Sequence, residues 1–200
     1  MILVGFVGAI GSGKSAAARL LAEIADGIHL DADRAAQDVL DRPGVVACIS
    51  YRFGDRVLRT DGGIDRRALA ALAFADDRAL ADLEAYVHPL VLDRLHDSLR
   101  QARERRCPLA AVDIPLLIGR AEVFFPCDRI LYVSASPETR RRRLEERGWD
   151  VAEAERRERH QAPDDLKRSR ATDLLANDGT IEELRRGLVE FWSRLRRKPG

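Results

Sequence analysis

Ile2-Leu3-Val4-Gly5-Phe6-Val7-Gly8-Ala9-Ile10-Gly11-Ser12-Gly13-Lys14-Ser15 is the stretch on which the fold turns. An apolar run of strand character leads directly into G-x-x-x-x-G-K-[ST], the spacing of a phosphate-binding loop between a strand and a helix. The glycines let backbone N–H groups turn toward an anion. Lys14 brings a point charge to the β/γ-phosphates, and Ser15 offers a hydroxyl to Mg²⁺ at a helix N-terminus. The segment implies a nucleoside triphosphate held by Gly8, Ala9, Ile10, Gly11, Ser12, Gly13, Lys14, Ser15 and Ala16. Only three of the 34 basic residues are lysines (Lys14, Lys167 and Lys198), and one of them stands where the motif requires it.

Strand patterns recur at Ile28–Leu30, Leu109–Val112, Arg129–Val133 and Asp173–Leu175, with helical periodicity between them. Such alternation predicts an α/β fold, a five-stranded parallel sheet with helices on both faces. The helix after the loop, Lys14 to Ile24, carries Ala17, Leu20, Leu21 and Ile24 at the spacing needed to pack on a sheet. Asp31 to Pro108 is too long for a simple crossover. It has helical periodicity, breaks at Pro43-Gly44 and Asp61-Gly62-Gly63, and a long helix from about Ala79 to Arg105, so it reads as a helical insertion completing a second binding site.

Two hundred residues, 46% of them apolar, suffice for one substantial α/β domain with appendages. A net charge of +1 supplies no global field toward nucleic acid or a membrane surface. Cys48, Cys107 and Cys127 are odd in number and widely spaced, which fits reduced thiols. No cleavable leader pattern and no apolar run of membrane-spanning length occurs, so a cytoplasmic protein is expected.

Asp31-Ala32-Asp33 follows the short second strand, which places carboxylates at the carboxyl end of the sheet. Phosphoryl transfer to a hydroxyl needs an anionic acceptor for the proton and partners for Mg²⁺, and two carboxylates there can supply both. Either may instead cap the next helix. Asp113 ends an apolar run, the arrangement of a strand-end carboxylate facing Mg²⁺, or it caps the turn before Pro115. Ser15, with Asp31 or Asp113 through water, forms the expected metal set. Pro137 to Arg147 should be a helix capped by Ser136, with Arg140, Arg143 and Arg147 on one face. Taken alone, that helix reads as a solvated surface; beside a phosphate loop it reads as a clamp on a transferring phosphoryl group.

These residues together resemble the dephospho-CoA kinase family over almost the whole chain. Beyond the loop, the likeness rests on Asp31-Ala32-Asp33, Phe53-Gly54, Asp61-Gly62, Asp65-Arg66, Leu69 and His88-Pro89. It continues through Asp113-Ile114-Pro115-Leu116-Leu117, Arg143, Arg147, Gln161, Asn177 and Gly179. The resemblance implies a nucleotide-binding core at 1–30, 109–136 and 171–200, a helical acceptor domain at 31–108 and an arginine-bearing lid at 137–170. It implies Asp33 as general base on a ribose 3′-hydroxyl of dephospho-CoA, with Lys14 and Arg143 as the other catalytic groups. Arg143, Arg147, Asn177 and Gly179 would contact the nucleotide. Asp31, Asp33, Arg66, His88, Asp113, Pro115 and Leu116 would contact the acceptor, although His88 also reads as a satisfied histidine before a proline. Neither a nucleic-acid nor a membrane partner is expected, and the chain would be a monomer or weak homo-oligomer.

The chain departs from the family pattern at Ala9 (usually Gly), Ala16 (Thr), Gln37 (Arg), Gly119 (Glu) and Arg140 (Gln). None of these removes Lys14, Ser15, Asp33 or Arg143. The competing readings are a kinase of the same fold acting on a nucleoside or sugar, and a nucleotide-binding protein without transfer. A guanine-specific switch is disfavoured because no Asn-Lys-x-Asp occurs.

Overall fold

The computed structural model describes residues 1–73, 75–114, 118, 124–149, 158 and 161–197. Strands β1 (Ile2–Val7), β2 (Ile28–Asp31), β3 (Leu109–Asp113), β4 (Arg129–Ser134) and β5 (Asp173–Ala176) form one sheet in the order β2-β3-β1-β4-β5. Every pairing is parallel. β2 to β5 each run one residue beyond the apolar pattern. Backbone pairing rather than hydrophobicity ends them: Asp31 lies opposite Asp113, and Ser134 opposite Ala176. Strand order reverses beside β1, so the loop leaving its carboxyl end opens at the topological switch point, where ligands bind in sheets of this kind.

Burial of both faces explains why β3 is Leu109-Ala110-Ala111-Val112-Asp113, buried at every residue. Helix α1 (Lys14–Ile24) lays Ala17, Leu20 and Leu21 against Val4, Phe6, Leu109 and Leu131. The C-terminal helix, here α8 (Ile181–Arg197), closes the same core with Leu184, Leu188, Phe191 and Trp192. It starts with a capping box: the Thr180 amide donates to Glu183 Oε2 at 2.8 Å and the Glu183 amide to Thr180 Oγ1 at 3.3 Å. α6 (Pro137–Glu146) is capped by Ser136, whose hydroxyl accepts from the Thr139 amide. α7 (Asp164–Arg170) docks on β4, where the Tyr132 hydroxyl donates to the Asp164 carboxylate and the Arg168 guanidinium lies 4.8 Å from the Tyr132 ring centre.

The chain forms two compact units, residues 1–31 with 99–200, and residues 32–98. The second consists of α2 (Ala32–Leu40), α3 (Pro43–Phe53), a 3₁₀ turn at Asp55–Val57, α4 (Arg66–Ala73) and most of α5 (Asp77–Glu104). Its buried apolar residues include Val39, Ile49, Val57, Ile64, Leu69 and Val91. Pro43 starts α3 rather than breaking a helix, and Gly62, at φ 84°, turns the chain between Leu58 and Ile64. α5 runs through Pro89, and its last turns, with buried Leu99 and Ala102, belong to the sheet unit. Among the described residues no helix is long and apolar enough to cross a membrane.

Candidate nucleotide site

Gly8 and Gly13 show why the loop has this sequence. A Cβ on Gly8 would collide with the Val133 carbonyl, so the loop can lie against β4 only without a side chain there. Gly13 adopts φ 88° in front of α1, and a Cβ on it would strike the Asn177 amide. With those contacts open, the loop is tied down by side chains from later in the chain. Asn177, buried just past β5, donates Nδ2–H to the Ser12 carbonyl at 2.7 Å. Arg143 Nη1 reaches the same carbonyl at 3.3 Å.

Below the loop, Asp113 ends β3 almost fully buried, with Lys14 Nζ 3.7 Å from Oδ1 and His29 Nε2 3.8 Å from Oδ2. Burial pushes its carboxyl up, but the neighbouring His29, the Lys14 charge and the Ser15 hydroxyl outweigh that and hold it below the ordinary carboxylate range. Ser12 Oγ, His29 Nε2 and Asp113 Oδ1 are buried without a hydrogen-bond partner among the described residues. Three such atoms around one glycine-rich loop mark a place built for a polar ligand. The hydroxyl of Ser15 and the carboxylate of Asp113 are hard oxygen donors of the kind Mg²⁺ takes together with phosphate oxygens, so the residues fit a magnesium–nucleotide.

The arginine helix divides its labour. Arg143 faces the loop; burial and the neighbouring Arg142 and Arg147 lower its pKa, while Asp178 opposes them. Arg147 is the exposed C-cap of α6. Arg140 does not wait for a phosphoryl group beside Arg143: its Nε donates to the Ile10 carbonyl at 3.0 Å and its Nη2 to the Glu158 carboxylate at 3.1 and 3.2 Å. Gly179 lies against the Glu183 carboxylate of the α8 capping box. Beside it, Asp178 accepts the Ser136 amide, which lowers its pKa first of all through that bond.

Asp31 is half-buried at the end of β2, in register with Asp113. Asp33 is exposed in the first turn of α2. Arg66, which opens α4, and His88 on α5 are exposed on the helical unit. Pro115 and Leu116 lie outside the described residues, as do Gly119 and much of the expected lid, 150–157 and 159–160.

Two residues were not singled out as site candidates by the sequence pattern. His29, inside β2, was masked by the apolar residues around it. Lys167 is 5% exposed and donates from Nζ to Gln161 Oε1 at 2.9 Å. Burial lowers its pKa, while Asp164 and Glu158 pull it up and Lys14 and Arg140 press it down, so it belongs to the loop's charge cluster. Its rarity, one lysine among so many arginines, was the available signal.

The sequence model of the family described as dephospho-CoA kinase matches residues 2–183. A dephospho-CoA kinase of Leifsonia xyli subsp. xyli is 40% identical over 98% of this chain and 100% of its own length. A solved protein from Thermus thermophilus is 37% identical with a TM-score of 0.78, covering 97% of each chain. The dephospho-CoA kinase from Campylobacter jejuni, 16% identical over 96% of each chain with a TM-score of 0.66, shares the fold. A glycine loop fastened by Asn177 over a buried Asp113, in a match that runs from β1 into α8, leaves one assignment: the chain belongs to the dephospho-CoA kinase family.

Proposed function

We propose that the chain transfers the γ-phosphoryl group of ATP to the ribose 3′-hydroxyl of dephospho-CoA, giving coenzyme A and ADP, the last step of coenzyme A synthesis. The observation that carries this is a fastened phosphate loop within a family match spanning residues 2–183. In the reaction the acceptor oxygen forms a bond to phosphorus while the bond to the β,γ-bridging oxygen breaks. Asp33 takes the hydroxyl proton. Lys14 neutralises charge on the β/γ-oxygens, and Arg143, already turned toward the loop, stabilises the transferring group.

Ser15 would hold Mg²⁺, with Asp113 or Asp31 through water; bound there, the ion would neutralise phosphate charge. Asn177, Gly179 and Arg147 would complete the nucleotide side, from Gly8 to Ala16 onward. Asp31, Asp113, Arg66, His88, Pro115 and Leu116 would serve the acceptor. We place the enzyme in the cytoplasm, as a monomer or weak oligomer without nucleic-acid partners, and assign residues 137–170 to a lid and 31–108 to acceptor binding.

A coupled ADP-release assay with dephospho-CoA, adenosine, shikimate and gluconate tests the reading. Dephospho-CoA should be the preferred acceptor, and Mg²⁺ should be required. Binding of ATP without CoA formation would favour a non-catalytic protein, and turnover with adenosine or a sugar would favour a different kinase of the same fold.

A further inference from the structure

The backbone of Ile10 is gripped on both sides of its Cα by one ion pair. Its N–H donates to Glu158 Oε1 at 2.8 Å, and its carbonyl accepts from Arg140 Nε at 3.0 Å. The ring closes because Arg140 Nη2 also spans both Glu158 oxygens, at 3.1 and 3.2 Å. Each side chain is under a third exposed, 28% for Arg140 and 29% for Glu158. The fit extends to the backbone: a Cβ on the next residue, Gly11, would press on the main chain of Arg140 at 3.0 to 3.3 Å.

We infer that the Arg140–Glu158 pair is a latch that sets the first half of the phosphate loop for nucleotide binding. The inference rests on reading that loop as the ATP site. A surface ion pair would satisfy only itself. This one supplies an acceptor to the N–H and a donor to the C=O of a single residue, and so holds the two adjacent peptide planes that meet at the Ile10 Cα. The need is local. Gly8, Gly11 and Gly13 all have positive φ, so the peptides between them have unusual freedom to rotate away from an anion-binding arrangement. Ser12 is held by Asn177 and Arg143, while Ile10, on the other side of Gly11, is held by the latch. Arg140 and Glu158 lie on opposite sides of the α6 C-terminus in sequence, so the latch joins two separate parts of the lid region to the loop. Arg140 and Glu158 are positioning residues, because they act through Ile10 and touch no reacting atom. Arg140 departs from the family pattern, and the latch gives that departure a task.

The test compares wild type with Arg140→Ala, Glu158→Ala and the double variant. It measures both KM values, kcat, Tm and the affinity for a non-hydrolysable ATP analogue. Charge-assisted bonds of this kind predict a rise of about tenfold in the KM for ATP and in the analogue's dissociation constant for each single variant. The double variant should be no worse, and the KM for the acceptor and Tm should stay near wild type. Additive losses, equal rises in both KM values with a falling Tm, or tighter ATP binding in Glu158→Ala would each overturn the latch. Should the alanine variants fail to fold, Arg140→Lys and Glu158→Gln carry the same test with smaller shifts, since Lys cannot bond both Ile10 and the two Glu158 oxygens and Gln removes the charge, so each breaks the closed ring without emptying the site. Amide exchange at Ile10, followed without nucleotide, should quicken in every variant, and unchanged exchange refutes the latch. That measurement separates the two readings: a wild-type protein that binds no ATP analogue defeats the site assignment, whereas exchange judges the latch itself.

Discussion

The two units place their candidate residues in opposite environments. In the sheet unit, Asp113 and Asn177 are buried, and Ser12 and Ile10 are held through their backbone by partners more than a hundred residues away. In the helical unit, Asp33, Arg66 and His88 stand exposed on α2, α4 and α5. The contrast teaches that the loop proposed to hold phosphate is pre-organised by the fold itself, which would lower the reorganisation needed when charge develops. The exposed groups on the helices would owe their proposed roles to the substrate they meet. Variants should accordingly fail in different ways on the two sides.

The largest effect should come from the helical side. Asp33→Asn keeps size and polarity but cannot take the proton, and general-base catalysis contributes about 10²- to 10⁴-fold. kcat should fall by that order with the ATP-analogue affinity little changed. A larger loss in Asp31→Asn, unrelieved by added Mg²⁺, would reassign the base to the strand end. Next comes Lys14→Ala, for which a loss in kcat of about 10²- to 10³-fold is expected from removing one pre-organised charge. The fold should survive, as a thermal melt would show, because Lys14 lies at the start of α1 and is not part of the apolar core.

Asn177→Ala sharpens the comparison through stability. It strips the Ser12 carbonyl of its shorter, buried donor and leaves only Arg143 Nη1 at 3.3 Å, so a loss of about 1 kcal/mol, the net worth of one hydrogen bond, is expected. Urea denaturation should register that loss together with weaker ATP-analogue binding. The smallest effect lies in the acid limb of the pH–stability profile. The folded-state pKa of Asp113 is depressed, so its contribution is present above its unfolded pKa of about 3.9 and is lost as pH falls through the lower folded value. Asp113→Asn should flatten the profile below about pH 4 and leave its slope near neutrality unchanged. A slope change near neutrality would overturn this assignment to Asp113.

Much of the sheet unit could be read from the chain because its signals are local. The loop motif follows β1 directly, and the Ser136 cap and the apolar runs located α6 and all five strands to within a residue of their ends. What could not be read is whatever depends on residues far apart in sequence. Arg140 belongs to the same helical face as Arg143, yet it spends its guanidinium on Ile10 and Glu158, a pairing no periodicity encodes. Lys167 carries no motif around it, and only packing buries it. His29 sat unnoticed in an apolar strand because a strand residue's partners come from its neighbour in the sheet, here β3.

The separation of β2 from β3 also has a kinetic side. These strands are neighbours in the sheet, but the whole of residues 32–98 lies between them in the chain. The equilibrium cost of such a detour is slight, about 0.6 kcal/mol for each doubling of a closing loop. The search is slow, because a pairing between distant residues gains nothing until the loop has closed. β2 has four residues, sits at the sheet edge and pairs only with β3, so it brings little apolar surface to pull that loop shut. A helical unit, whose helices are built on local hydrogen bonds, can form first and carry the two chain ends as one body. On this reasoning the insertion should act during refolding as an internal template, and β2, although second in the sequence, is expected to be the last strand captured.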